Sequence, residues 1–128
     1  LNRRDELGID PVKSEVELRV AIKVLRDLIE FNRGEVFNTA VSFTDKDTSQ
    51  SLEITDDMEI VAVVKSNSNL LISSLDVQRD TDQVGRVWVE SSADTSLWQL
   101  GYAQLEITLK QNDIVIGEHI LAFKVMER

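Results

Sequence analysis

The chain reads as all-β: one antiparallel β-sandwich over residues 15–128, preceded by a short N-terminal arm, residues 1–14. Three observations predict it. Apolar and polar residues alternate at period two, most clearly where Ala103, Leu105, Ile107 and Leu109 share one side of residues 101–110. Seven or eight such segments are short and separated by turn-forming residues, the rhythm of a sandwich. Val and Ile dominate the apolar positions, as strands prefer. At 128 residues and 42% hydrophobic, the chain suits one domain, which buries roughly two-thirds of its unfolded surface.

The elements follow in order. Residues 1–13 are polar and hold Gly8 and the sole proline, Pro11, so the arm has little to bury. Next, Val16, Leu18, Val20, Ile22 and Val24 alternate with Glu15, Glu17, Arg19, Ala21 and Lys23. That alternation argues for a half-buried strand. A helix stands beside it as the alternative, because Leu18, Ile22, Leu25 and Ile29 also recur at helical spacing after Asp10-Pro11. Asn32-Arg33-Gly34 is a turn. Residues 35–44 form a strand with Val36, Asn38, Ala40 and Ser42 on one face and Phe37, Val41 and Phe43 on the other. Residues 45–57 are acidic and hydroxyl-rich, a loop. Residues 58–65, with Ile60, Val61, Val63 and Val64, are apolar on both faces, as expected of a central strand. Residues 66–69 are a turn by composition. A strand at 70–77, a polar loop at 78–83 and a short strand at 84–90, with Val87 and Val89 opposite Trp88, come next. A polar connection at 91–95 follows. The strand at 101–110, a hairpin turn at Gln111-Asn112-Asp113 and a long strand at 114–126 close the chain, with Leu121, Phe123 and Val125 on one face.

Composition excludes several function classes. Fourteen Lys and Arg against 23 Asp and Glu give a net charge of −9. Such a surface is unsuited to displacing counterions from a phosphate backbone or docking on an anionic membrane, so neither nucleic acid nor membrane is an expected partner. No apolar run approaches the ~20 residues of a membrane helix, and the opening residues do not read as a signal peptide. With no Cys there is no disulfide, thiolate metal site or cysteine nucleophile. Walker, GxGxxG, HExxH and Gly-x-Ser-x-Gly patterns are absent.

Four groups of residues bear chemistry. Asp45, Asp47, Ser49, Ser51, Glu53 and Asp56 fall at ligand positions of a calcium-loop template, which makes Asp45, Asp47 and Asp56 the calcium candidates. The template's glycine is Gln50, however, and its terminal Glu is Asp56. Asp80 and Asp82 are a second carboxylate pair, equally at home in an Asp-rich turn. Glu53, Asp56, Asp57 and Glu59 form an acidic group that suits solubility or a basic partner better than glycoside hydrolysis, which also needs a sugar cleft. His119 is the sole histidine and has no recognisable nucleophile to activate. No catalytic residue and no cofactor are expected. Trp88, Trp98 and Tyr102 suit a core cap or an interface better than a sugar platform.

The order of features also carries a resemblance. Gly34-Glu35 leads into Asn38-Thr39-Ala40, an acidic loop and the strand at 58–65 follow, then Trp98-Gln99-Leu100-Gly101-Tyr102, and the chain closes on Phe123-Lys124-Val125. This resembles the N-terminal domain of phage baseplate upper proteins and related immunoglobulin-like modules of phage tails and fibres, over roughly residues 16–126. The chain departs from that pattern at residues 45–57, which lack a glycine-containing turn. The resemblance implies an immunoglobulin-like, non-enzymatic virion component that assembles as a trimer or hexamer with other virion structural proteins. Interface candidates are Arg3 and Arg4 of the arm, with Trp88, Trp98 and Tyr102. Truncating residues 1–14 is then expected to weaken assembly. A capsid decoration protein, a carbohydrate- or calcium-binding adhesion module and a small acidic hydrolase are the alternatives.

Overall fold

The structure is a computed structural model that describes residues 19–92 and 94–127. The arm, with Arg3 and Arg4, and the start of the first expected strand at residues 15–18 lie outside the described residues. Eight strands follow: β1 (Val20–Val24), β2 (Glu30–Asn32), β3 (Asn38–Asp45), β4 (Met58–Ser66), β5 (Leu71–Arg79), β6 (Arg86–Ser91), β7 (Gly101–Gln111) and β8 (Ile114–Met126). A 3₁₀ turn, Thr95–Leu97, precedes β7.

The strands run β1-β3-β6-β5-β4-β7-β8-β2 across one curled sheet. β5 makes the fold a sandwich. Its first half pairs with β4, Ser74 opposite Val63, and its second half pairs with β6, Leu75 opposite Ser91. The chain therefore passes from one layer to the other along a single strand. One layer is β1-β3-β6 with the end of β5; the other is β4-β7-β8-β2. All pairings are antiparallel except β2 with β8, which is parallel. This is the ABED and CFG arrangement of an immunoglobulin-like sandwich.

The core is built by alternation. Val41 and Phe43 of β3, Val87 and Val89 of β6, and Leu105, Ile107 and Leu109 of β7 are fully buried. Each such side chain contributes about 1.5–3 kcal/mol on leaving water. At one end Phe31, Phe37 and Trp98 form a mutually touching aromatic group, with ring centroids 5.1–5.6 Å apart, and Phe123 joins through Phe37. Polar ties lock the same end. Arg33 donates to Glu127 Oε2 at 2.6 Å and to the Trp98 carbonyl at 3.1 Å. The buried Thr95 hydroxyl accepts from the Gly34 N–H at 2.9 Å.

The strand reading of the first segment holds over Val20–Val24, where Val20, Ile22 and Val24 pack on the core. The helical alternative fails because Leu25 and Ile29, which it needs buried, are exposed. Gly117 lets β1 close over β8: a Cβ there would lie 3.3 Å from Val20 Cβ and from Ile22 Cδ1. The hairpin at Asn112-Asp113 is as expected. Both residues have positive φ, the two-residue primed turn that suits sheet twist. Two expectations need correcting. Glu30–Asn32 is a strand, too short for alternation to declare; it exists through its pairing with Lys124–Met126. And β4 is not covered on both sides: Ala62, Val64 and Ser66 point inward and are buried, while Val61 and Val63 face outward, half-exposed. A sandwich has two layers only, so even a central strand keeps one face outside.

Candidate functional site

The acidic loop is a folded hairpin tip. Asp45 Oδ1 accepts from the Asp47 N–H at 2.8 Å, and the Ser49 N–H donates to the Asp45 carbonyl at 2.8 Å. Ser49 takes φ 62°, the left-handed backbone that closes the turn. Asp47 receives Arg19 at 3.2 Å. Asp56, at the far end of the loop, faces Arg79 at 3.6 Å. The three calcium candidates are thus engaged separately, and among the described residues no group of three acidic or imidazole side chains converges on one point.

Asp57, Asp80 and Asp94 hold local structure. Asp57 accepts from the Thr55 hydroxyl and, at 3.1 Å, from the Gln111 amide, and these bonds hold its pKa below the ordinary aspartate value. Asp80 accepts from the Asp82 N–H and from Arg86 Nε, both at 2.8 Å, which lowers its pKa. Asp94 caps the 3₁₀ turn through the Ser96 N–H, with the same effect. A general acid needs the opposite shift. His119 is half-buried beside an open groove of about 460 Å³ lined by residues 23–28 and Leu121, where no hydroxyl or thiol is present.

The three aromatic candidates separate. Trp98 is 3% exposed and belongs to the aromatic group of the core, so its assignment to an interface is corrected: its ring is consumed by Phe31 and Phe37. Trp88 lies on the outside of the β1-β3-β6 layer, 43% exposed, with the Arg86 guanidinium 5.8 Å from its ring centre. Tyr102 lies on the outside of the opposite layer, 65% exposed, with Lys124 Nζ at 5.6 Å. They form no common platform.

The two outer faces differ. Around Trp88 the register places Lys23, Ser42 and Arg86 in one row, Ala40, Trp88 and Gln78 in the next, and Asn38, Glu90 and Asp76 in a third. This surface is polar apart from the ring, Ala21 and Ala40, and Leu25 at its margin. The β4-β7-β8 face reads otherwise. Val61, Thr108 and Glu118 form one row, then Val63, Glu106 and Ile120, then Lys65, Gln104 and Ala122, and Tyr102 pairs with Lys124 beyond. Ile120 is 51% exposed, and Lys65 reaches Glu106 at 3.3 Å across the strands. Val61 and Val63 of β4 and Ile120 and Ala122 of β8 therefore form two outward apolar pairs, separated by Thr108, Glu106 and Gln104 of β7. Of the residues of this face, sequence reasoning singled out only Tyr102. The available signal was the two-sided apolar character of residues 58–65, which marks an outward-facing apolar pair once the sandwich is accepted.

No family model matches the chain, and no curated protein matches it. Among solved structures, it is similar to the Lin-41 filamin domain, with 14% identity over 88% of this chain and 97% of that one and a TM-score of 0.50. It is also similar to CopC from Methylosinus trichosporium OB3b, with 9% identity over 82% of this chain and 93% of that one, and again a TM-score of 0.50. At these identities the likeness concerns the fold: the chain is an immunoglobulin-like β-sandwich, the architecture of a filamin domain.

Proposed function

We propose that this chain is a non-enzymatic protein-binding module whose contact surface is the outer face of β4, β7 and β8. The carrying observation is that Val61 and Val63 of β4 and Ile120 and Ala122 of β8 are left outside the core, on either side of a polar row on β7 and beside the exposed Tyr102. Apolar and aromatic residues mixed with charged and polar ones on an exposed sheet have the composition of an interface. Of the acidic group considered for a hydrolase, Asp57 holds a turn and Asp56 faces Arg79, which also favours binding over catalysis. The virion setting, with its trimeric or hexameric assembly, rests on the sequence resemblance alone.

The test is photo-crosslinking. A photoreactive residue at position 120 should form protein adducts, with purified chain or with an extract of its own cells, whereas the same residue at position 88 should form none. No adduct at position 120 under either condition would overturn the assignment.

A further inference from the structure

We infer that the partner is an extended peptide segment, apolar and acidic at alternate positions, which adds as a strand to the outer edge of β8; the inference rests on the binding-module reading and names the partner class. The parity of the ladder carries it. Lys124 donates its N–H to the Ile29 carbonyl, so its backbone points away from β7 and towards β2. The Tyr102 carbonyl opposite accepts from the Asn67 N–H and so points away from β8. Backbone direction alternates along an antiparallel pair, and the register is unbroken from Lys124 back to Glu118. Ala122, Ile120 and Glu118 therefore also turn their N–H and C=O groups away from β7. The pairing of β2 with β8 begins only at Lys124, and among the described residues no backbone group pairs with Ala122, Ile120 or Glu118 on that side. An edge that must stay single is commonly blunted by Pro, Lys or a bulge. Residues 118–122 hold no Pro or Lys, the irregularity of β8 lies before Gly117, and Ile120 is 51% exposed.

The seam between β8 and β1 selects the side chains of the added strand. At Gly117 the seam is closed, since a Cβ there would lie 3.3 Å from Val20 Cβ and Ile22 Cδ1. Beyond it, at His119 and Leu121, the seam opens into the groove of about 460 Å³, with Val24, Leu28 and Leu121 as apolar walls. A strand lying along β8 sends alternate side chains to opposite sides. One set enters this groove, and the other lies beside Ile120 and Ala122 on the outer face. Charge decides the rest. Among the residues lining the groove, the exposed Lys23 and Arg26 outnumber the one carboxylate, Asp27, and the Asn38 carbonyl holds Arg26 at 3.1 Å. In a chain of net charge −9 this is a local basic rim, which matches carboxylates on the peptide and repels Lys or Arg.

The test is amide hydrogen exchange by NMR on the full chain, with a blocked peptide of about eight residues alternating valine and glutamate as probe. In the free chain, exchange should be fast at Glu118, Ile120 and Ala122 and slow at His119 and Leu121, which bond to β7. The peptide at about 1 mM should slow Ile120 and Ala122 about tenfold, as a dissociation constant on the order of 100 µM requires. The same pattern with lysine for glutamate should bind at least about tenfold more weakly. A probe methylated on every backbone nitrogen should not bind at all. Ile120→Pro removes an N–H outside the β7 ladder, so it should abolish the slowing at Ala122 with little change in thermal midpoint. Slow exchange at Ile120 and Ala122 in the free chain overturns the inference, since the edge is then already occupied. Equal affinity for the glutamate and lysine probes overturns the acidic class. If the valine–glutamate probe leaves both amides unprotected while position 120 still crosslinks a protein, strand addition falls and the binding-module reading stands. Failure of both removes both.

Discussion

The two outer faces share one core yet obey different rules. Around Trp88 the outward positions are mostly charged, polar or small, Leu25 beside Ala40 being the exception, and the ring is covered in part by Arg86. Around Val63, apolar residues on β4 and β8 flank a polar row on β7, where Glu106 pairs with Lys65. Inward positions of both layers are interchangeable in character: Val87 and Val89 on one side, Leu105 and Ile107 on the other, all fully buried. Interior packing therefore does not distinguish the layers. What differs is which outward positions the chain leaves apolar, and the sandwich itself makes no demand there.

The comparison can be broken from the inside first. Phe37→Ala should lose about 3–5 kcal/mol, because the ring is fully buried against Phe31, Trp98 and Phe123, and both faces should vanish together in denaturant unfolding. Next comes Gly85→Ala. Gly85 sits at φ +77°, and a Cβ would lie 2.8 Å from the Phe43 carbonyl and 2.9 Å from that of Leu52. We expect a loss of about 2–4 kcal/mol, read as a lower thermal midpoint. The outer faces then separate. Ile120→Asp and Trp88→Ala should each change stability by about 0.5 kcal/mol or less, but only the first should lower the yield of protein adducts from a photoreactive residue at the neighbouring position 63. Equal effects of the two on association would erase the distinction between faces. The smallest effect concerns pH. The folded-state pKa of Asp80 is lowered by the Asp82 N–H and Arg86, so its contribution is complete above the ordinary value of 3.8 and fades as pH falls below it. Asp80→Asn should flatten the fall in thermal midpoint below about pH 4. It should do so only in part, because Asp57 and Asp94 titrate in the same direction.

Much of the fold was legible in the sequence. The alternation of Ala103, Leu105, Ile107 and Leu109, the turn at Asn112-Asp113 and the opposition of Val87 and Val89 to Trp88 all correspond to their observed places. These are local signals, set by period two and by turn chemistry. β2 was not legible because three residues carry no period, and its cause is a partner strand about ninety residues away. The candidate surface was half legible. Val61 and Val63 read as apolar, but the sequence does not say whether a strand's second face meets another layer or the outside. The position of Trp98 was hidden for a related reason: three aromatic residues look alike in a sequence, and only the fold decides which one the core takes. The acidic loop misled by spacing alone, since Asp45 serves its own backbone and Asp47 and Asp56 face different arginines.

The parallel pairing of β2 with the end of β8 has a consequence for how the molecule comes into being. Phe31 is separated from Val125 by nearly the whole described chain, yet the two stand side by side. During synthesis the aromatic end stays open until β8 has been made, since Phe123 and Val125 belong to it. Closing so long a loop costs entropy that earlier hairpins avoid, and distant pairings are slow to form. The nascent domain therefore waits with Phe31 and Phe37 incompletely covered, and the arrival of the final strand, rather than any local event, sets the moment at which it becomes a stable body.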